Sequence, residues 1–399
     1  MILTLKQNNF MRVLYVHNDY GIWTGEEASA ETIVKLLKEH SHDVFWFRKS
    51  SRKLWSNDSF FSKAAAFVSG IHNSHAAREI AIKLDKIKPD IVQVQNIYPF
   101  LSPSIFRPIR ERKIPIVMRC PNYRLFCPTG LYFSKGSVCE KCTSAGREFW
   151  CIFKNCGVDF FKSTGYALRN AWARMTSSIQ KGVDIFIVQT NFQKKKFVEN
   201  GISSDRIEIL PGMIHEIDIS GNGHIGDSVC FVGRPSREKG IDTFIQAAKA
   251  TPQVPFSVAG DCPTSGQYLS STPDNMNWLG FLKGKALFNM YQSSRFIVVP
   301  SNWYEGFPNV IVSAMMTEKP VIASRLGGIP EIVDDGITGL LCEPNNPDDL
   351  SEKIQYLWDR PQLCKQMGRA GRHKASQEYS PEKCYERLMM IYQKAIEII

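Results

Sequence analysis

Three short stretches of this chain hold the residue types that could do chemistry. The first reads "CFVGRPSREKG": an apolar run ends at Gly233, and Arg234, Arg237 and Lys239 follow. A helical pattern starts at Ile241, so these cations stand beside free helix N–H groups and the positive end of a helix dipole. That setting favours an anion. A guanidinium and an ammonium fixed there suit a diphosphate. The second stretch, "FIVVPSNWYEGFPNVIVSAMM", places one carboxylate, Glu305, just after another apolar run. Gly306 lets backbone approach whatever binds, and Asn309 and Val310 open the next helix with their amides available. An acid for hydroxyl groups, with amides and cations for phosphate, is what a bound sugar diphosphate needs. The plainer alternatives are a solvated basic loop and an exposed surface glutamate. The third stretch crowds six of the eleven cysteines into residues 120–156. Cys127, Cys139 and Cys142 have C-x11-C-x2-C spacing, and a C-x2-C pair on a glycine-rich knuckle suits tetrahedral zinc. Cys120, Cys151 and Cys156 are the remaining thiols of the cluster, and unmetallated free thiols are the alternative reading.

These stretches are positioned by alternating strands and helices. The first half runs from "RVLYVHND" through the loop "YGIWTGEE", with Gly25 just ahead of a helix whose stripe is Ala28, Ile33, Leu36 and Leu37. It continues through strands "DVFWF", "PDIVQVQN", "IPIVMRC", "DIFIVQT" and "RIEILP". A polar, glycine-rich stretch, "GMIHEIDISGNGHIGDS", reads as an interdomain linker. The same grammar then restarts with "SVCFVGR" and continues to helices at the C-terminus. Strands and helices at this spacing imply parallel sheets covered on both faces. Two doubly wound α/β domains facing a cleft is the expected architecture, with ligand contacts beyond the carboxyl ends of the strands.

At 399 residues the chain exceeds one comfortable core. With 43% hydrophobic and 22% charged residues, it has the composition of a globular protein rather than a disordered one. No apolar run approaches the roughly 20 residues that span a bilayer, and the N-terminus lacks the long apolar core of a signal peptide; a cytosolic protein is expected. A net charge of +10 predicts attraction to anions. The cations are dispersed rather than striped with aromatics, which argues against nucleic acid. The densest run is "QKKKF" at 193–197.

The stretches "VGRPSREKGIDTFIQA", "AGD", "WLGF", "VVPSNWYEGFPNVIVSAM" and "KPVIASRLGGIPEIVDDGITGLL" resemble, in order, the C-terminal half of the retaining glycosyltransferases of family 4, which have the GT-B fold. "YVHNDYGIWTGEEASAETIVKLLKEHSHDV", "PDIVQVQNIYPFLSPSIF" and "NYRLFCPTGLYFSKGSVCEKC" resemble the bacterial surface-polysaccharide branch of that family. The resemblance implies a GT-B architecture of two Rossmann-like domains. Residues 1–212 would form an acceptor domain with the cysteine-rich insert 120–156, and 213–380 a nucleotide-sugar donor domain. Residues 381–399 would be a helix returning to the first domain. It further implies that Arg234 and Lys239 hold the donor diphosphate without a catalytic divalent metal, with Gly233 and Arg237 in the same loop. Glu305 would contact the donor sugar's hydroxyls beside Gly306 and the amides of Phe307, Asn309 and Val310, with Gly25 approaching the phosphates from the first domain. Asn122, Tyr123 and Arg124 would border the acceptor. Cys127, Cys139, Cys142 and Cys156 would be the ligands of a structural zinc, leaving Cys120 and Cys151 as spares.

The implied activity is transfer of a hexose-type sugar from a UDP- or GDP-linked donor to a glycan. The acceptor would be lipid-linked, at the inner face of the plasma membrane, with Lys194, Lys195 and Lys196 favouring anionic headgroups. Three positions depart from the family pattern. Ser313 stands where a second Glu would reach the nucleotide ribose; Pro121 replaces a His in "PNYR"; and "VQVQN", with Gln93 and Gln95, replaces "VHVHN". These departures keep a second expectation open, a GT-B-like protein that binds nucleotide or glycan without turnover in an assembly complex. A zinc-ribbon nucleic-acid binder rests on the C-x2-C pair and the charge alone.

Overall fold

A computed structural model describes residues 10–20, 25–50, 69–143, 146–157, 159–214, 226–260 and 268–399. The N-terminal extension at 1–9, part of the loop ahead of Gly25, part of the amphipathic region before Ile87, and most of the expected linker at 215–225 lie outside the described residues.

Twelve of the strands form two six-stranded sheets, and every pairing described within them is parallel. The first sheet contains β1 (Arg12–Asp19), β2 (Asp43–Ser50), β3 (Ile91–Asn96), β4 (Ile116–Arg119), β7 (Ile185–Val188) and β8 (Ile207–Ile209), in the order β2-β1-β3-β4-β7-β8. The second contains β9 (Ser228–Val232), β10 (Phe256–Ala259), β11 (Met276–Gly280), β12 (Ser294–Val299), β13 (Val321–Ser324) and β14 (Gly339–Cys342), in the order β11-β10-β9-β12-β13-β14. Between the two halves of the first sheet, β5 (Phe133–Ser134) and β6 (Ser137–Val138) make a small antiparallel hairpin inside the cysteine insert.

The central strands are apolar because both faces are covered: every residue of β3, β4 and β7 is buried. Side chains alternate across β1, so Leu14 and Val16 enter one core while Val13 and Tyr15 enter the other. The chain order reverses between β1 and β3 in the first sheet and between β9 and β12 in the second. Those two reversals are the crevices where ligands of such sheets bind.

The last helix, Pro381–Glu397, packs on the first sheet although it follows the second domain. Cys384, Leu388, Ile391, Tyr392 and Ala395 enter the core that holds Val13, Tyr15 and Ile33. His40 stacks on Tyr385 with ring centroids 3.6 Å apart, and the Tyr392 hydroxyl donates to Gln93 Oε1. The helix ties the two domains together.

Candidate functional site

One charge pair at the second sheet's crevice joins the loops that follow β9 and β12. Gly240 ends the β9 loop at φ +76°, and a Cβ there would sit 1.7 Å from the Pro300 carbonyl oxygen. Only glycine permits that approach, and it sets the two loops side by side. Lys239 Nζ lies 2.7 Å from Glu305 Oε1, and the Ser301 hydroxyl donates to the same oxygen at 2.7 Å. Glu305 is 4% exposed, so its charge is held by a cation and a hydroxyl rather than by bulk water. Lys239 also lies 5.1 Å from the centre of the Trp303 ring.

Arg234 pairs with Glu238 at 2.5 Å. Burial would raise the Glu238 carboxyl, but the Arg234 charge and hydrogen bonds outweigh it and hold the group below its usual range. Arg237 sits 3.8 Å from Asp242 with both side chains more than half exposed, a contact of little energetic weight. Gly233 has φ +136° and open space where a Cβ would point. The Phe307 ring is buried against Tyr379, 5.2 Å between centroids, and the side-chain oxygen of Asn309 is buried without a partner. Val310 packs at the rim of the second domain's core.

Two placements differ from what the residue types alone suggest. A Cβ on Gly306 would lie 2.9 Å from the Pro121 carbonyl oxygen and 3.0 Å from Gln189 Oε1. Its small size therefore serves the approach of the first domain. Ser313 lies in the second turn of the helix Asn309–Met316, and its hydroxyl hydrogen-bonds Tyr291 beneath that helix.

The first sheet's crevice is built differently. Asn96, the last residue of β3, donates to the Asn18 carbonyl at 2.6 Å. Arg124 hydrogen-bonds the Tyr20 hydroxyl and reaches Asn96 Oδ1 at 3.3 Å, while Asn122 donates to Glu26. Tyr20 donates to the other Glu26 oxygen at 2.7 Å. Asn122 and Arg124 thus form one network that, with Gln95, Tyr98 and Pro121, lines a small, open recess. Gly25 opens the helix Gly25–Glu39 above it and is exposed, with nothing within 4 Å of a would-be Cβ. Tyr123 is fully buried with its hydroxyl unpartnered. Burial, together with the nearby Tyr132 and Glu305, pushes its phenol well above the usual range.

Several residues essential to this arrangement are not apparent from sequence. Tyr304, next to Glu305, lies in an aromatic nest with Phe192 (4.8 Å), Tyr132 (6.0 Å) and Tyr123 (6.3 Å), and donates to Glu140 at 2.8 Å. Glu331 reaches across from the second domain and accepts from the amides of Asn191 (2.7 Å) and Phe192 (2.6 Å), capping a first-domain helix. Gln93 and Gln95 converge on Tyr15, at 3.2 and 2.7 Å, and Gln95 also donates to the Glu26 carbonyl at 2.8 Å. Two amides in an otherwise apolar strand signal buried partners, but the sequence does not say which. Lys194 and Lys196 are engaged within the protein, by the Ile207 carbonyl and by Glu140 and Glu199.

Two clusters have metal-type donors. The thiols of Cys127, Cys139 and Cys156 surround Cys142 closely enough that, after burial, they help push it up to about 12. Cys156 shares a hydrogen bond with Cys151, which holds the Cys156 thiol below its usual range, and Lys154 lies 3.2 Å from Cys139 Sγ. Among the described residues no three of these sulfurs come within 4.8 Å of one another. His17, Asp19 and Glu27 do reach that spacing. His17 is fully buried with neither ring nitrogen hydrogen-bonded, and burial lowers it to about 4, so the ring is neutral. Asp19 is already engaged by Arg48 at 3.2 Å.

Residues 221–374 match the family of glycosyl transferases group 1. The chain is 34% identical over 216 residues to an uncharacterized glycosyltransferase, MJ1178, of Methanocaldococcus jannaschii, covering 53% of this chain and 60% of the relative. It is 24% identical over 303 residues to an uncharacterized 42.6 kDa protein in the cps region of Klebsiella pneumoniae, covering 75% of this chain and 73% of that one. Alpha-D-kanosaminyltransferase of Streptomyces kanamyceticus matches at 26% over 175 residues, 42% of this chain and 45% of the enzyme. The first and third matches thus span less than two thirds of those relatives.

Among solved structures, Anabaena Alr3699/HepE in complex with UDP and glucose superposes with a TM-score of 0.66 at 15% identity, over 96% of this chain and 100% of that one. Sucrose-phosphate synthase of Thermosynechococcus elongatus gives 0.71 at 15% identity, over 98% and 100%. At such identities the likeness is one of fold, and that fold is GT-B, two Rossmann-like α/β domains. The stretch that matches the glycosyl transferases group 1 family, residues 221–374, carries the Lys239–Glu305 pair.

Proposed function

We propose that the protein is a retaining glycosyltransferase that moves a hexose-type sugar from a nucleoside diphosphate donor to a glycan acceptor in the assembly of a cell-surface polysaccharide. One observation carries this reading: a buried carboxylate paired with a lysine where the second sheet's order reverses, with Arg234 in the adjoining loop. The HepE complex with UDP and glucose and the cps-region relative are its supports from comparison.

In this mechanism Arg234 and Lys239 neutralise the leaving diphosphate, a stabilisation of developing charge that needs no divalent metal. Lys239 moves from Glu305 to the phosphate as the donor enters, and Glu305 then accepts hydrogen bonds from the sugar's hydroxyls. The bond from the anomeric carbon to the phosphate oxygen breaks, and the acceptor oxygen bonds the same face of that carbon. The acceptor's proton passes to the departing phosphate oxygen. The amides of Phe307, Asn309 and Val310 hold phosphate, with Gly233, Arg237 and Gly25 around the donor. Asn122, Tyr123 and Arg124 shape the acceptor side. UDP- and GDP-linked sugars are the donor classes, and the acceptor is lipid-linked at the cytoplasmic membrane face.

The insert would hold a structural zinc through Cys127, Cys139, Cys142 and Cys156, whose all-thiolate chemistry fits that ion. Binding would brace the hairpin flanked by Tyr132 and Glu140, the two residues of the insert that meet Tyr304. Metal analysis of the purified protein tests it: one zinc per chain, lost in Cys142→Ser, is expected.

Calorimetry with UDP-, GDP-, ADP- and CMP-sugars tests the donor reading. One class should bind, and Glu305→Ala should reduce transfer by about 10²–10³-fold. A folded protein that binds none, or normal transfer by Glu305→Ala, rejects it. The Ser313–Tyr291 bond favours a second reading, a binding protein without turnover, since no carboxylate is offered to the ribose there. Nucleotide binding with no detectable hydrolysis or transfer would select it.

A further inference from the structure

Seven of the eighteen exposed large apolar side chains among the described residues fall between positions 149 and 175. They are Phe149, Phe153, Phe160, Phe161, Leu168, Trp172 and Met175. Phe153, Phe161 and Met175 are each more than three-quarters exposed. On the helix Phe160–Met175 the pattern is inverted from that of an ordinary surface helix. Phe161, Leu168, Trp172 and Met175 follow one another at seven, four and three residues, which is a single stripe. That stripe faces outward, while Ser163, Ala167, Arg169 and Asn170 face the protein. The inward groups are satisfied: Asn170 donates to the Arg124 carbonyl at 2.8 Å and Arg169 to the Pro128 carbonyl at 3.0 Å. The stripe therefore has not been left outside by a poorly packed helix.

Charge decides what covers it. Of the charges in residues 147–181, Arg169 is buried facing the protein and Arg174 pairs with Glu148, which leaves the four cations Arg147, Lys154, Lys162 and Lys181 against the one acid Asp159, a difference of +3. Glu148 is buried and paired with Arg174, so the outer surface is apolar with a basic border. Aromatic and aliphatic groups flanked by Lys and Arg suit the interface of an anionic bilayer.

We infer that the outer face of the helix Phe160–Met175, with Phe149 and Phe153 beside it, docks the protein on an anionic phospholipid surface. This site differs from the Lys194–Lys196 run, whose first and last lysines are bound within the protein. Its position also has a purpose. The inward face of the same helix supports the Arg124 carbonyl, so the membrane lies one helix diameter, about 10 Å, from the acceptor-side recess. A lipid-linked acceptor would reach that recess without leaving the bilayer. This last step rests on the transferase reading; the docking face does not.

The test uses the full chain with vesicles of phosphatidylcholine alone and of phosphatidylcholine with phosphatidylglycerol, read by co-sedimentation. The protein should bind the anionic vesicles, and Phe161→Ser/Trp172→Ser should lose at least roughly tenfold in partitioning. Lys162→Glu/Lys181→Glu should lose roughly fivefold or more, with the residual binding weakened by salt. Both variants should keep nucleotide-sugar binding and wild-type melting temperatures. Brominated acyl chains should quench part of the tryptophan fluorescence, and Trp172→Phe should remove that part. Absence of binding to anionic vesicles, or equal binding by the serine variant, overturns the inference. A wild-type dimer that the serine variant converts to monomer, with vesicle binding unchanged, assigns the stripe to a second copy and also overturns it. Vesicle binding without any donor binding would leave the docking face standing and reject the transferase.

Discussion

At the second sheet's reversal, β9 and β12 deliver full charges on short loops: Lys239 against Glu305, and Arg234 against Glu238. At the first sheet's reversal, β1 and β3 deliver a network that leans on amides and phenols, Asn96, Gln95, Tyr15 and Tyr20, with Arg124 and Glu26 enclosed within it. Both crevices occupy the same place in the same architecture, yet they handle polarity in opposite ways. The charged crevice uses pairs that can exchange an internal partner for a ligand. The other spends its polar groups on one another and on positioning the chain. On the donor reading proposed above, the charged crevice has to keep its cations available for a diphosphate, and such residues stand out in sequence; a self-satisfied network has no such requirement.

The largest effect that would test this contrast comes from Lys239→Met. It should lower transfer by about 10²–10³-fold while leaving the fold intact, measured as kcat/KM with the identified donor. A loss under roughly tenfold would mean that the pair is structural and that the two crevices do not differ in kind.

The second effect is on stability and comes from the first crevice. Burial holds His17 at about 4, below the ordinary 6.5. The unfolded chain therefore takes up the proton first as pH falls. The stability that His17 contributes is complete above about pH 6.5 and is lost as pH drops toward 4, amounting to about 3 kcal/mol at most. Urea denaturation between pH 7 and pH 4 should show this slope, and His17→Asn should flatten it.

A smaller loss is expected from Tyr392→Phe, which removes the hydroxyl that donates to Gln93. About 1 kcal/mol of stability should go, with donor affinity unchanged. A change in donor affinity instead would show that the last helix couples the crevices.

The smallest effect belongs to Ser313→Glu. Its new carboxylate replaces a hydroxyl now bonded to Tyr291, and nucleotide affinity should stay the same or tighten by less than about tenfold, read by calorimetry. A clear weakening would show that the Tyr291 contact shapes the nucleotide pocket.

Much of the architecture was legible before the coordinates, because strand and helix periods are local properties of the chain. "CFVGRPSREKG" and "FIVVPSNWYEGFPN" each read as strand, loop and helix start, and their charged residues follow strand ends in both the sequence and the structure. The glutamines of "VQVQN" were visible as departures, but their meaning was not. Gln95 meets Tyr15 across 80 residues and Gln93 meets Tyr392 across 299, separations at which no spacing rule applies. Gly306 was legible as a glycine beside an acid; that it makes room for Pro121 of the other domain was not.

By itself, then, the sequence determined the alternation of elements, the pair of sheets, and the loops where cations and an acid would face a ligand, since hydrophobic period and turn chemistry act over a few residues. The tertiary structure alone decided three further things: that Lys239 and Ser301 donate to one oxygen of Glu305, that Tyr304 lies among first-domain aromatics, and that Phe161, Leu168, Trp172 and Met175 face outward. A helical stripe looks the same in sequence whether it faces a core or the solvent. Only the closure of the chain around it sets the direction.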